Sequence, residues 1–148
     1  MKKLLVLLAA ISLMAVSLAG AAPVFAQEEE PHIMVQIDIK PGTYPNVINL
    51  KSPGVVPVAL FGSDTFNVRD VKLRTVGLHP MDRPEEAVRP VLFVFKDVNR
   101  DGFKDILFFF AIRSLTLVPS DTEACLHGDL RNGEHFCGHD SVVVIKCK

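Results

Sequence analysis

The chain has 148 residues, 49% of them hydrophobic, and a formal net charge of −1. That charge excludes a nucleic-acid partner held on a basic face. The length suits one domain able to bury its own core. Lys2 and Lys3 open a positive start, Leu4 to Ala19 is almost wholly apolar, and Val24-Phe25-Ala26 precedes Gln27 as a small-residue cleavage site would. This pattern predicts a secretory signal peptide over residues 1–26. Its apolar run falls short of the roughly 20 residues a spanning helix needs, so no membrane span is expected after cleavage. Without those residues the hydrophobic share falls to about 43%, ordinary for a globular domain, and the formal charge becomes −3.

In chain order, residues 27–32 read as an acidic, disordered tail and residues 33–148 as a single domain. Ile33, Val35, Ile37 and Ile39 fall on one face with Gln36 and Asp38 on the other, which predicts one half-buried strand. Val47 to Leu50 is a short apolar piece. Val55 to Phe61 reads as a strand whose Pro57 suits an edge or a bulge. Val68 to Val76 is loosely patterned. Residues 79–90 carry three prolines and five charges, and are expected to form a surface loop. Val91 to Phe95 and Ile106 to Ile112 are the strongest apolar runs; Leu115 to Val118, Thr122 to His127 and Val142 to Ile145 follow. No segment keeps a helical apolar period. Short strands between Gly/Pro turns predict an all-β antiparallel sandwich, Ig-like or jelly-roll-like, with a small β-barrel as the alternative. Both faces of the 106–112 strand are apolar. The simpler expectation is that residues 79–90 or the C-terminal segment cover the outer one, the alternative being a docking patch.

Between the two strongest runs lies Asp97-Val98-Asn99-Arg100-Asp101-Gly102-Phe103-Lys104-Asp105. Side-chain oxygens fall at its first, third, fifth and ninth positions, and Gly102 permits a sharp turn that would aim the Phe103 carbonyl inward. A hard cation takes about six to eight such oxygens. Asp97, Asn99, Asp101, the Phe103 carbonyl and Asp105 are therefore expected to ligate Ca²⁺. An EF-hand would require an acidic residue where Phe108 stands and helices where strands are expected, so the spacing instead looks like a single strand-joining calcium loop of the kind seen in β-propeller repeats.

Export permits disulfides. Cys125 and Cys137 flank the turn-like stretch 128–133, and a bridge between them would contribute about 3 kcal/mol in the chain-entropy model. Cys147 is left over. The alternative use of the same residues is a soft-metal site made by Cys125, His127, His135 and Cys137, with His139 spare. His32 and His79 are isolated and are expected at the surface. No nucleophile elbow, zinc-protease or phosphate-loop motif occurs. The pairs Glu85/Glu86 and Asp121/Glu123 provide the competing reading, a small secreted hydrolase using loop carboxylates.

Ile37-Asp38-Ile39-Lys40-Pro41-Gly42, then Asn46, Ile48-Asn49-Leu50, Gly54-Val55-Val56-Pro57-Val58-Ala59-Leu60 and Asp97-Val98-Asn99-Arg100-Asp101-Gly102 stand in an order that resembles a family of uncharacterised secreted bacterial domains. In that family an IDIKPG opening precedes a DVNGDG loop. Asp121-Thr122-Glu123-Ala124 and Asp140-Ser141-Val142 resemble its closing strands. Arg100 replaces the family's glycine, which is expected to relax the backbone angle there. The resemblance implies an extracellular β-sandwich module without established catalysis. The expected function is thus a secreted, extracellular or periplasmic, calcium-binding module with a structural role or a role in binding a protein or glycan.

Overall fold

The computed structural model describes Gly20 and residues 31–148. The signal-peptide reading and the start of the acidic tail lie outside the described residues, Gly20 apart. Ten strands follow: β1 (His32–Met34), β2 (Ile37–Ile39), β3 (Val47–Asn49), β4 (Val55–Leu60), β5 (Gly77–Pro80), β6 (Leu92–Lys96), β7 (Asp105–Ala111), β8 (Glu123–Asp129), β9 (His135–Ser141) and β10 (Val143–Ile145). One sheet has the order β1-β9-β8-β5, a second β2-β4-β7-β6, and β10 pairs with β3 separately. No barrel closes. The inward residues of both large sheets, among them Phe136 and Leu126 on one and Phe108 and Phe110 on the other, belong to one buried cluster. The fold is therefore an all-β sandwich, as the strand spacing predicts. Among the described residues, no helix is long and apolar enough to cross a membrane.

Several local expectations are corrected. The expected strand 33–39 is two strands in different sheets. Val35 N–H still donates to the Cys137 carbonyl at 3.0 Å, while the Gln36 carbonyl accepts from Phe61 N–H at 3.0 Å, so the chain changes sheets between those two residues. The alternation reads straight through because both pieces face the same core. This crossing passes over Gly138, where a Cβ would lie 2.6 Å from the Val35 carbonyl oxygen; only glycine fits. Two pairings, β1 with β9 and β3 with β10, are parallel rather than antiparallel, since each joins segments remote in the chain. His32, expected in the tail, opens β1.

Pro57 lies in an interior strand, between β2 and β7. Its carbonyl accepts from Lys40 N–H at 2.8 Å. In an extended strand N and C=O of a residue point the same way, so the donor Pro57 lacks would have faced Lys40. The Lys40 carbonyl is instead used by Thr43, whose N–H and Oγ1 donate to it at 3.1 and 2.7 Å. The proline sits where β2 peels away, and on that side β4 is locally an edge.

The 79–90 stretch is more ordered than a surface loop. Leu78 and Val88 exchange two backbone hydrogen bonds at 2.9 Å, and His79, expected at the surface, is buried. Nor does this stretch or the C-terminal segment cover β6. Every residue of β6 is exposed, whereas in β7 Ile106, Phe108 and Phe110 are buried and Leu107, Phe109 and Ala111 half-buried.

Candidate calcium loop and histidine face

β6 and β7 pair antiparallel from Leu92↔Phe109 to Lys96↔Asp105. The intervening loop therefore leaves from, and returns to, two strands fixed by the core. Arg100 has φ 62° and Gly102 φ 91°. Arg100 thus keeps a left-handed, glycine-like angle, contrary to the relaxation expected of it. Asp97 Oδ1 accepts from Asp101 N–H at 3.2 Å and its Oδ2 from Gly102 N–H at 3.0 Å. Asp101 N–H is shared with Asn99 Oδ1 at 3.2 Å, and Asn99 Nδ2 donates to Asp101 Oδ2 at 2.9 Å. Phe103 N–H donates to Asp101 Oδ1 at 2.9 Å. The structure so gathers Asp97, Asn99 and Asp101 into one turn whose own N–H groups counter their charge.

Asp105 is placed differently. Its side chain is fully buried. Oδ1 accepts from Gly62 N–H at 2.9 Å and Oδ2 from Val98 N–H at 2.7 Å. A Cβ at Gly62 would overlap the Lys104 carbonyl, so the 62–63 turn and the loop touch backbone to backbone with the Asp105 carboxylate between them. Asp105 anchors the loop from beneath. Among the described residues no three His, Cys, Asp or Glu side chains converge as a metal set.

The second concentration of chemistry is the outer face of the β1-β9-β8-β5 sheet. The register places His32 beside His135, His135 beside Asp129, His127 beside Cys137, Cys125 beside His139, and His79 beside Cys125. All five histidines of the chain therefore share one face. Period-two spacing in β8 and β9 makes the central part legible. The additions of His32 and His79 depend on strand pairings that no local pattern encodes. Cys125 and Cys137 are diagonal neighbours joined by a disulfide, with Cα atoms 6.6 Å apart; Cys147 is free. The bridge occupies both sulfurs, so the alternative metal set of Cys125, His127, His135 and Cys137 loses two of its four ligands.

His79 and His127 lie with ring centroids 4.9 Å apart, and His32 and His135 6.1 Å apart. His79 Nδ1 and the Pro80 carbonyl are 2.7 Å apart, and His135 Nδ1 meets Asp129 Oδ1 at 2.5 Å. These rings, with Asp129 and Met81, line a cleft of about 360 Å³. Burial lowers the pKa of His127; His79 lowers it further, Asp129 opposes, and His32 and His135 add to the lowering. The folded protein thus prefers neutral His127, while the unfolded chain accepts a proton near pH 6.5. The stability this confers is present above about pH 6.5 and is lost as pH falls through the lower folded value. Thermal melts between about pH 7.5 and 5 should show His127→Gln losing less stability on acidification than the parent chain. Parallel curves for the two proteins would contradict the assignment.

The carboxylates considered for hydrolysis are engaged elsewhere. Arg83 binds Glu86 through Nε at 2.9 Å, Asp121 at 2.8 Å and Asp82 at 2.9 Å. Burial pushes the Asp121 carboxyl up, but Arg83 and the Val118 N–H outweigh it and hold it below its ordinary value. A general acid needs the opposite shift. Glu123 faces His139 Nδ1 at 3.4 Å, and Glu85 is exposed.

Asn46 and Asp140, not singled out from the sequence, form a further polar cluster that ties the end of β9 to β2 and to the residue before β3. Asp140 Oδ2 accepts from Ile39 N–H at 2.8 Å and Asn46 Nδ2 at 2.9 Å; Asn46 Nδ2 also donates to the Ser141 carbonyl at 2.9 Å. Asn46 and Asp140 both fall within the motifs of the family resemblance, which was the available signal.

No protein-family model matches the chain, and no curated protein matches it. A solved structure to which it is similar is AggA, the major subunit of aggregative adherence fimbriae type I from Escherichia coli. The identity is 12%, the match covers 77% of this chain and 99% of that one, and the TM-score is 0.35. At that level the likeness says nothing about function.

Proposed function

We propose that the protein is an exported β-sandwich module with a structural or extracellular binding role rather than a catalytic one, whose β6–β7 loop takes a calcium ion. The observation carrying this reading is the gathering of Asp97, Asn99 and Asp101 in one exposed turn, held in left-handed geometry at Arg100 and Gly102. Two carboxylates within one short turn repel each other, and a divalent cation relieves that more fully than N–H dipoles do. The ion would be held by Asp97, Asn99, Asp101 and the Phe103 carbonyl, with water completing the shell and Asp105 fixing the base of the loop. Since the loop registers the two strands beneath it, binding would feed directly into stability. A disulfide between strands suits an oxidising compartment.

Extracellular modules bind Ca²⁺ at about 10⁻⁴–10⁻³ M. At about 10 mM Ca²⁺ the gain over EGTA is then about 1.4–2.7 kcal/mol, read as a rise in melting temperature. Asp97→Ala with Asp101→Ala should abolish that rise. A melting temperature unchanged by Ca²⁺ in the parent chain would remove the metal from the proposal.

A further inference from the structure

We infer that the histidine face is a redox-gated zinc site: when the Cys125–Cys137 bridge is reduced, the two thiolates join His127 and His79 around one Zn²⁺, and oxidation expels the ion. The placement follows from the sheet register. Cys125 and His127 stand two apart on β8 and share its outer face. His127 is opposite Cys137 on β9, and Cys125 is opposite His79 on β5. The set is therefore centred on one step of β8, with one ligand from the strand on each side. The Cys125 and Cys137 Cα atoms are 6.6 Å apart and their sulfurs already meet, so reduction leaves two thiols within reach of one ion at about 2.3 Å from each. All four residues line the same cleft.

His79 is the residue that completes the set. It is only 5% exposed, and its Nδ1 lies 2.7 Å from the Pro80 carbonyl. A carbonyl only accepts, so Nδ1 holds the proton and Nε2 keeps its lone pair. Ligating imidazoles are commonly fixed in this way through their other nitrogen. The His79 and His127 ring centroids are 4.9 Å apart, close to the roughly 5 Å at which two imidazoles sit on one tetrahedral zinc. His135 stands one pair further along, opposite Asp129, and its ring neighbours His32. Sulfur and imidazole nitrogen suit zinc and not calcium, so this inference is independent of the β6–β7 loop.

The exchange balances. A dithiol reductant gives two electrons and two protons to the bridge and becomes its own disulfide; the two thiols then lose two protons to solvent as Zn²⁺ binds. In reverse, a disulfide oxidant takes two electrons from the zinc-bound thiolates, the sulfur–sulfur bond re-forms, Zn²⁺ leaves, and the oxidant picks up two protons. In the oxidised chain no three His, Cys, Asp or Glu side chains converge among the described residues, so only the reduced state holds the ion.

The test uses protein carrying Cys147→Ser, so that only the two sheet cysteines remain, reduced with a phosphine under argon. The reduced chain should bind one Zn²⁺ with a Kd below about 1 μM and melt at a higher temperature for it; the oxidised chain should do neither. Co²⁺ in place of zinc should give the visible bands of a tetrahedral site with thiolate ligands. His79→Gln should weaken zinc about tenfold or more and lose those bands, while the bridge still forms on oxidation. His139→Gln, on the other side of Cys125, should leave binding unchanged. A disulfide oxidant should release one zinc per bridge formed, read with a chromogenic chelator. A reduced chain whose melting temperature ignores zinc overturns the inference, as does equal binding by the oxidised chain or an affinity indifferent to His79→Gln. Should His79→Gln fail to fold, the cobalt spectrum of the parent decides alone: without tetrahedral bands the inference falls.

Discussion

Asp105→Ala is expected to destabilise the protein by about 3–5 kcal/mol, with or without calcium. The carboxylate is fully buried and receives two backbone N–H groups, from Gly62 and Val98. Hydrogen bonds to a charged group contribute about 1.5–3 kcal/mol each, and their loss would leave two amides without acceptors. Whole domains hold only about 5–15 kcal/mol, so the variant should be close to unfolding in denaturant titrations. Asp105→Asn offers one acceptor oxygen and sets its NH₂ against the other donor, so it should recover only part of the loss. Asp97→Ala, on the exposed side of the same loop, should cost about 1 kcal/mol in EGTA, with the remainder appearing only when Ca²⁺ is present. The contrast separates two residues that loop spacing treats alike. A cost at Asp105 no larger than that at Asp97 would mean that the buried anchor is not what holds the loop.

That contrast also marks where sequence pattern runs out. Alternation identifies strands and inward residues because burial acts on each side chain locally. Ile106, Phe108 and Phe110 face the core as their spacing requires. Pattern cannot say which sheet a strand joins. Ile33 to Ile39 alternates without a break, although it changes sheets between Val35 and Gln36. The loop's ligand spacing likewise reports oxygens at intervals, not their direction. Asp105 belongs to β7 as well as to the loop, and the strand's inward face claims it. His79 is misread for a related reason. It is isolated in sequence, and only the pairing of β5 with β8 places it beside Cys125 and under the 84–88 turn. The exposure of β6 is the opposite failure: its apolar pattern is that of a buried strand, while its position at the sheet edge leaves it open.

Removing the disulfide should be the other large perturbation. Cys125 and Cys137 are separated by 12 positions, and a loop of that size is worth about 3 kcal/mol in the chain-entropy model. Cys125→Ala with Cys137→Ala should lower the urea midpoint accordingly while leaving the slope similar, since native burial hardly changes. Cys125 is itself buried, so part of the loss is packing; reduction of the parent chain, which deletes no atoms of the side chains, isolates the tether. The same experiment decides between the two uses of these sulfurs. Oxidised protein should be indifferent to zinc, because both thiolates are spent in the bridge and no three His, Cys, Asp or Glu side chains converge among the described residues. A zinc-dependent rise in stability of the oxidised chain, or no loss on reduction, would refute the bridge as the stabilising element of the histidine face.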